Sequence, residues 1–151
     1  MAQLVPAETF DLVIFGGTGD LAMRKLLPAM YHRDLDGQLT PDSRIVAASR
    51  GEMSREDYLG RVEEAVRRNL ADGEFDESLW LTFADRIHYV QADAFAHDEW
   101  SSLTRLLESA EARVRVAYLA TAPSLFGPIA QGLRHNGLVT DTSRIVLEKP
   151  L

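Results

Sequence analysis

The 151-residue sequence predicts an α/β fold, a parallel sheet wound in both directions with helices on each face, and three observations carry that expectation. Five short apolar runs alternate with stretches of helical periodicity, the rhythm of successive βαβ units. The second of these runs, Arg44 to Ser49, is apolar from Ile45 to Ala48 without alternation, as a parallel strand covered on both faces should be. The first run breaks into a glycine-rich turn that opens a helix, Leu12-Val13-Ile14-Phe15-Gly16-Gly17-Thr18-Gly19-Asp20-Leu21-Ala22-Met23-Arg24-Lys25. That order is the one a dinucleotide-binding first βα unit needs. Together they predict a Rossmann-like, doubly wound, three-layer αβα domain with right-handed crossovers.

The first strand is Asp11 to Phe15. Gly16 permits the tight turn off it, and Gly19 leaves room for a pyrophosphate where a Cβ would stand. Ala22 is the third small residue, letting helix and strand pack closely. The spacing G-x-x-G-x-x-A is a variant of the usual fingerprint, and Gly16, Gly17, Thr18, Gly19, Asp20, Leu21, Ala22 and Met23 form the expected cofactor cradle. Free N–H groups at the helix start, with the helix dipole, are suited to hold phosphates.

Leu21, Leu26, Leu27, Met30 and Tyr31 then recur at helical spacing, interrupted by Pro28, where the helix must kink or restart. Asp36-Gly37 ends this element, and Arg44 to Ser49 is the second strand. Ser54 is the expected N-cap of a helix with Tyr58, Leu59, Val62, Ala65, Val66 and Leu70 on its buried face. A short helix through Leu79, Trp80 and Phe83 precedes the third strand, Ile87 to Val90. Asp98 through Ala112 reads as the next crossover helix, with Trp100, Leu103, Leu106 and Leu107 inward. Val114 to Ala120 is the fourth strand, and a helix over Leu125 to Leu133 is closed by Asn136-Gly137. Ser143 to Glu148 is the fifth strand, with Lys149-Pro150-Leu151 directly after it. No linker suggests a second domain, so residues 1–151 read as one domain. Stopping at the sheet edge where such folds put their ligand is unusual, so the expectation is the front portion of a longer protein.

Composition narrows the function. Hydrophobic residues make up 46% and charged residues 26%, as in ordinary globular domains. The net charge of −7, with basic residues scattered, argues against a nucleic-acid surface. With no cysteine there are no disulfides or thiolate metal sites, and His32, His88, His97 and His135 show no metal-binding spacing, so no metal is expected. No segment nears the roughly 18 apolar residues of a membrane span. Met1 to Thr9 lacks the charged start and apolar core of a secretory signal, which leaves the cytoplasm as the expected location.

NAD enzymes of this fold place an acid after the second strand to bind the ribose 2′-hydroxyl. Here Ser49-Arg50 occupies that place. A guanidinium forks onto a 2′-phosphate that an acid would repel, which favours NADP. Thr18 is positioned to add a hydroxyl to the same phosphate. Asp93, followed by Ala94 at the tip of the third strand, either accepts a hydrogen bond from adenine N6 or caps the next turn. Arg24 and Lys25 lie one turn into the first helix, and Arg24 either faces the cofactor or sits on a solvated helix face. Lys149 leaves a buried strand at the ligand-facing edge, aimed by Pro150, where it can meet an anionic substrate.

With these residues in hand, the chain from Asp11 to Leu151 resembles the amino-terminal coenzyme domain of the glucose-6-phosphate dehydrogenase family. Gly16 to Lys25 matches that family's G-x-x-G-D-L-A-x-x-K signature, Arg50 its 2′-phosphate arginine, Ala120-Thr121-Ala122-Pro123 its nicotinamide-lining stretch, and Glu148-Lys149-Pro150-Leu151 its E-K-P-[FL] motif. The resemblance implies oxidation of glucose 6-phosphate at C1 to the 6-phosphogluconolactone with hydride passing to NADP+, the entry step of the oxidative pentose phosphate pathway. It implies that Lys149 contacts substrate and cofactor, that Pro150 sets a domain hinge, and that Lys25 helps orient the reacting groups. The family's catalytic histidine–aspartate pair lies beyond the position of Leu151, in an α+β domain that also binds substrate and builds the homo-oligomer. No catalytic base is therefore expected within 1–151, and the expectation is that this stretch alone binds NADP+ without turnover. The alternative is a non-catalytic NADP-binding module. A short-chain reductase would need a Tyr-x-x-x-Lys pair, which no tyrosine here supplies.

Overall fold

Strand β1 (Phe10–Phe15) is buried from Asp11 onward, so it can only be a central strand. Residues 8–110 and 113–147 are described in the computed structural model. Strands β2 (Arg44–Ser49), β3 (Ile87–Gln91), β4 (Val114–Leu119) and β5 (Arg144–Leu147) complete one parallel sheet in the order β3-β2-β1-β4-β5. The chain winds outward from β1 to β3, then crosses back to β4 on the other side of β1. That reversal creates a crevice at the carboxyl ends of β1 and β4, where folds of this kind bind ligands.

Alternate side chains of β1 feed two separate cores. Leu12 and Ile14 join Ile45, Ala47 and Ile87 beneath α1 (Leu27–Leu35), α2 (Arg55–Asn69) and α3 (Glu77–Asp85). Val13 and Phe15 join Val46, Ala48 and Leu119 against α4 (Ser101–Glu108) and α5 (Phe126–His135). The three-layer αβα expectation therefore holds. Caps follow local chemistry: Ser54 Oγ accepts the Asp57 N–H, and Asp76 accepts the N–H groups of Ser78 and Leu79. Gly137 at φ +67° ends α5 as expected.

The helix carrying Pro28 restarts there, one of the two outcomes expected, while two other details differ from the sequence reading. The helix after the glycine turn starts at Asp20, widens to π winding over Ala22–Leu26, and restarts as α1 with Pro28 in its first turn. The Leu27 N–H reaches back to the Ala22 carbonyl, so the winding absorbs the proline's missing donor. The crossover expected over Asp98 to Ala112 is instead a 3-10 turn at His97–Glu99 followed by α4, which stops at Glu108. Ser109 closes it, its hydroxyl donating 2.6 Å back to the Leu106 carbonyl. The fifth strand, expected from Ser143, starts at Arg144, and its Ile145, Val146 and Leu147 are exposed among the described residues.

The amino end of the sheet is held by ions that the apolar pattern does not reveal. Asp11 is fully buried in β1 and accepts 2.8 and 2.7 Å bonds from Arg44, with Arg113 at 3.3 Å. Arg86 forks onto Asp34 at 3.0 and 3.1 Å and also donates to the carbonyls of Thr40 and Ser43.

Candidate functional site: a groove over the glycine turn

The carboxyl ends of four strands meet at one groove of about 430 Å³. Phe15 closes β1, Ala48 and Ser49 close β2, Ala92 follows β3 and Ala120 follows β4, and all five line it. The glycine turn forms its floor. Gly16 has φ +83°, the left-handed region open to glycine. A Cβ there would run into the Ala120 carbonyl, 3.0 Å from its carbon and 3.1 Å from Thr121 Cγ2. Gly16 thus permits the tight turn, as expected, and also lets β4 close against it. Gly17 is a second steric requirement, since a Cβ would lie 2.7 Å from Ala47 Cβ. Around Gly19 the nearest atom to an added Cβ is the Gly16 carbonyl oxygen at 3.3 Å, so the space beside it is otherwise open.

Backbone bonds fix this turn. Gly16 and Gly17 donate to the Ala48 carbonyl at 2.9 and 3.2 Å, Ala120 donates to Phe15 at 2.9 Å, and Gly19 donates to Gly16 at 3.0 Å. These leave the N–H groups of Thr18, Asp20 and Leu21 without an acceptor among the described residues. Three donors at the start of a helix, beside a groove, make a site for a dianionic linkage.

A residue that sequence periodicity gave only to the core turns out to serve the turn. Tyr58 is fully buried in α2, and its hydroxyl donates 2.7 Å to the Gly17 carbonyl. Burial pushes that phenol well above the ordinary tyrosine range, so it stays a protonated donor. The signal was available, because a buried tyrosine hydroxyl needs a partner.

Thr18, Gly16, Gly19, Arg50, Asp93 and Ala94 line the groove together. Gly17 is buried behind the turn, and Ala22 is fully buried in the core beneath α1 and α2, consistent with close helix–strand packing. Met23 is half-buried against that same core, its N–H bonded to Gly19 at 3.1 Å. Leu21 is half-buried, and Asp20 is exposed and pairs with the equally exposed Arg24 at 3.0 Å, which puts Arg24 on a solvated helix face. Lys25 is exposed on the π segment. Asp93 makes the turn-capping bond, its Oδ1 accepting the Phe95 N–H at 2.9 Å. Glu148, Lys149, Pro150 and Leu151 lie outside the described residues. Among the described residues there is no group of three or more His, Cys, Asp or Glu arranged for a metal, and no helix long and apolar enough to cross a membrane.

A parallel sheet with reversed strand order, a glycine turn opening a helix and a groove across the switch point define a dinucleotide-binding α/β domain. The domain family described as "glucose-6-phosphate dehydrogenase, NAD binding domain" matches residues 13–151, and the chain belongs to it. It is 45% identical over 150 residues to the glucose-6-phosphate 1-dehydrogenase of Rhizobium meliloti, spanning 99% of this chain and 30% of that protein. The Gluconobacter oxydans enzyme is 45% identical over 153 residues, covering 100% of this chain and 31% of its own length. A glucose-6-phosphate dehydrogenase solved in complex with glucose-6-phosphate superposes with a TM-score of 0.84 at 26% identity, covering 99% of this chain and 32% of that one. The Mycobacterium avium enzyme superposes with a TM-score of 0.82 at 28% identity, covering 94% of this chain and 30% of its own. The chain thus spans about 30% of the length of the relatives it matches.

Proposed function

We propose that this chain is the coenzyme domain of an enzyme that oxidises glucose 6-phosphate at C1 to the 6-phosphogluconolactone, with NADP+ as hydride acceptor. The observation that carries the cofactor reading is Arg50, on the groove rim directly after β2, where Ser49-Arg50 stands in the place an NAD enzyme gives to an acid. When bound, the dinucleotide supplies the nicotinamide that accepts the hydride leaving the sugar.

The turn from Gly16 to Met23 holds the diphosphate through the N–H groups of Thr18, Asp20 and Leu21, with the helix dipole adding to the attraction. Arg50 takes the 2′-phosphate by charge-assisted hydrogen bonds, helped by the Thr18 hydroxyl. Asp93 and Ala94 border the adenine side. Thr121 and Ala122, across the groove, border the nicotinamide side. Lys149 meets both the sugar phosphate substrate and the cofactor, and Lys25 helps orient them. The base that takes the C1 hydroxyl proton belongs beyond residue 151; such a group supplies roughly 10²- to 10⁴-fold in rate. Residues 1–151 therefore bind NADP+ without turning over. The full enzyme is a cytoplasmic homo-oligomer in this reading, with no membrane or nucleic-acid partner.

Arg50→Ala is expected to weaken NADP+ binding by roughly ten- to one-hundredfold, the value of a hydrogen-bonded charge, and to leave NAD+ binding unchanged. Titration calorimetry with both coenzymes reads the difference. Equal losses for both, or none for either, would contradict the assignment.

A further inference from the structure

The groove has one wall that neither the fingerprint nor the phosphate chemistry uses. Phe95, in the loop after β3, lines the groove with 74% of its surface exposed, more than any other large apolar side chain among the described residues. A phenyl ring left in water forgoes about 2 kcal/mol of burial, unless something covers it.

Its loop is not loose. The Phe95 N–H donates to Asp93 Oδ1 at 2.9 Å, and the Ala96 N–H donates to the Asp93 carbonyl at 3.1 Å. The fully buried Trp100 donates from Nε1 to that same carbonyl at 2.7 Å. His97 Nε2 donates 2.7 Å to the Ala94 carbonyl. Trp100 in turn packs on Phe15 at 5.5 Å between ring centres and requires Gly132, where a Cβ would fall 2.5 Å from its ring. Bonds on both sides of Phe95 therefore hold its backbone beside the groove, which its side chain lines.

The position selects the ligand group. A 2′-phosphate on Arg50 puts the adenosine ribose at the end of β2, so the attached base lies toward β3, the strand that pairs with β2 on that side. The β3 loop is where Phe95 stands. We propose that the Phe95 ring is the stacking platform for the adenine, a binding residue separate from the phosphate contacts, on the assumption that the groove binds a dinucleotide. Stacking reads the flat face of a purine and ignores the 2′-phosphate, so Phe95 sets affinity for the adenosine half while Arg50 sets the choice between coenzymes.

The experiment uses the chain as expressed from its whole coding sequence, with adenosine 2′,5′-bisphosphate and nicotinamide mononucleotide as separate calorimetric probes. Phe95→Ala is expected to weaken the adenosine probe and NADP+ by roughly tenfold or more and to leave the nicotinamide probe unchanged. Phe95→Trp is expected to restore binding, and Phe95→Leu, apolar without an aromatic face, is not. Because the ring is exposed, the melting temperature without ligand should be the same in all three variants. Wild-type affinity in Phe95→Ala, equal losses on both probes, or rescue by leucine as complete as by tryptophan would overturn the assignment. If the adenosine probe does not bind the wild-type chain at all, the dinucleotide reading falls with it; an unchanged Phe95→Ala beside a weakened Arg50→Ala overturns the role of Phe95 alone.

Discussion

Gly16→Ala is expected to destabilise the domain by about 3 kcal/mol and to weaken dinucleotide binding at least tenfold. The left-handed backbone at φ +83° costs an L-residue roughly 1–2 kcal/mol. The new methyl would also strike the Ala120 carbonyl, and overpacking of this kind costs about 1–3 kcal/mol more. For a chain of this size that corresponds to a fall of roughly 6–12 °C in melting temperature. Relief requires either the turn or the end of β4 to move. The turn carries Thr18 and Gly19, and the end of β4 carries Ala120, so both routes distort the groove. Denaturant unfolding and calorimetry with NADP+ measure the two effects. Wild-type stability with wild-type binding would show that the contact between β1 and β4 is not as close as described.

Asp11→Ala is expected to cost about 3–5 kcal/mol, the scale for leaving a buried charge without its partner. Arg44 and Arg113 would both lose their carboxylate in a place where little water reaches them. The triple change Asp11→Leu with Arg44→Met and Arg113→Met should cost less than Asp11→Ala alone, because it removes all three ions and fills the space. Since this cluster sits at the amino end of the sheet, dinucleotide affinity should stay unchanged while the domain remains folded. Chemical denaturation of the single and triple variants, with calorimetry on each, tests both statements.

These two sites also mark how far the sequence could be read. The βαβ rhythm, the strand ends and the role of Gly16 were visible because apolar periodicity and glycine spacing are local properties. The role of Asp11 was not, since its partners Arg44 and Arg113 are distant in sequence and a single acid inside an apolar run looks like an edge residue. Tyr58 was correctly read as inward, but its bond to the Gly17 carbonyl depends on how α2 crosses the sheet. Phe95 carried no sequence signal, because exposure in a loop is a property of the folded chain. The helix expected to reach Ala112 ended early at a serine hydroxyl, a choice between backbone partners that composition leaves open. Gly132 looks like an ordinary glycine until Trp100 is brought against it, and the tight fit of Gly17 against Ala47 was equally out of view.

The account rests on a phosphate cradle at the first turn and a guanidinium at position 50. A crystal structure of the chain with NADP+ tests it most directly. Density should place the diphosphate on the N–H groups of Thr18, Asp20 and Leu21, with the 2′-phosphate against Arg50. Coenzyme density elsewhere, or a 2′-phosphate pointing away from Arg50 into solvent, would contradict it.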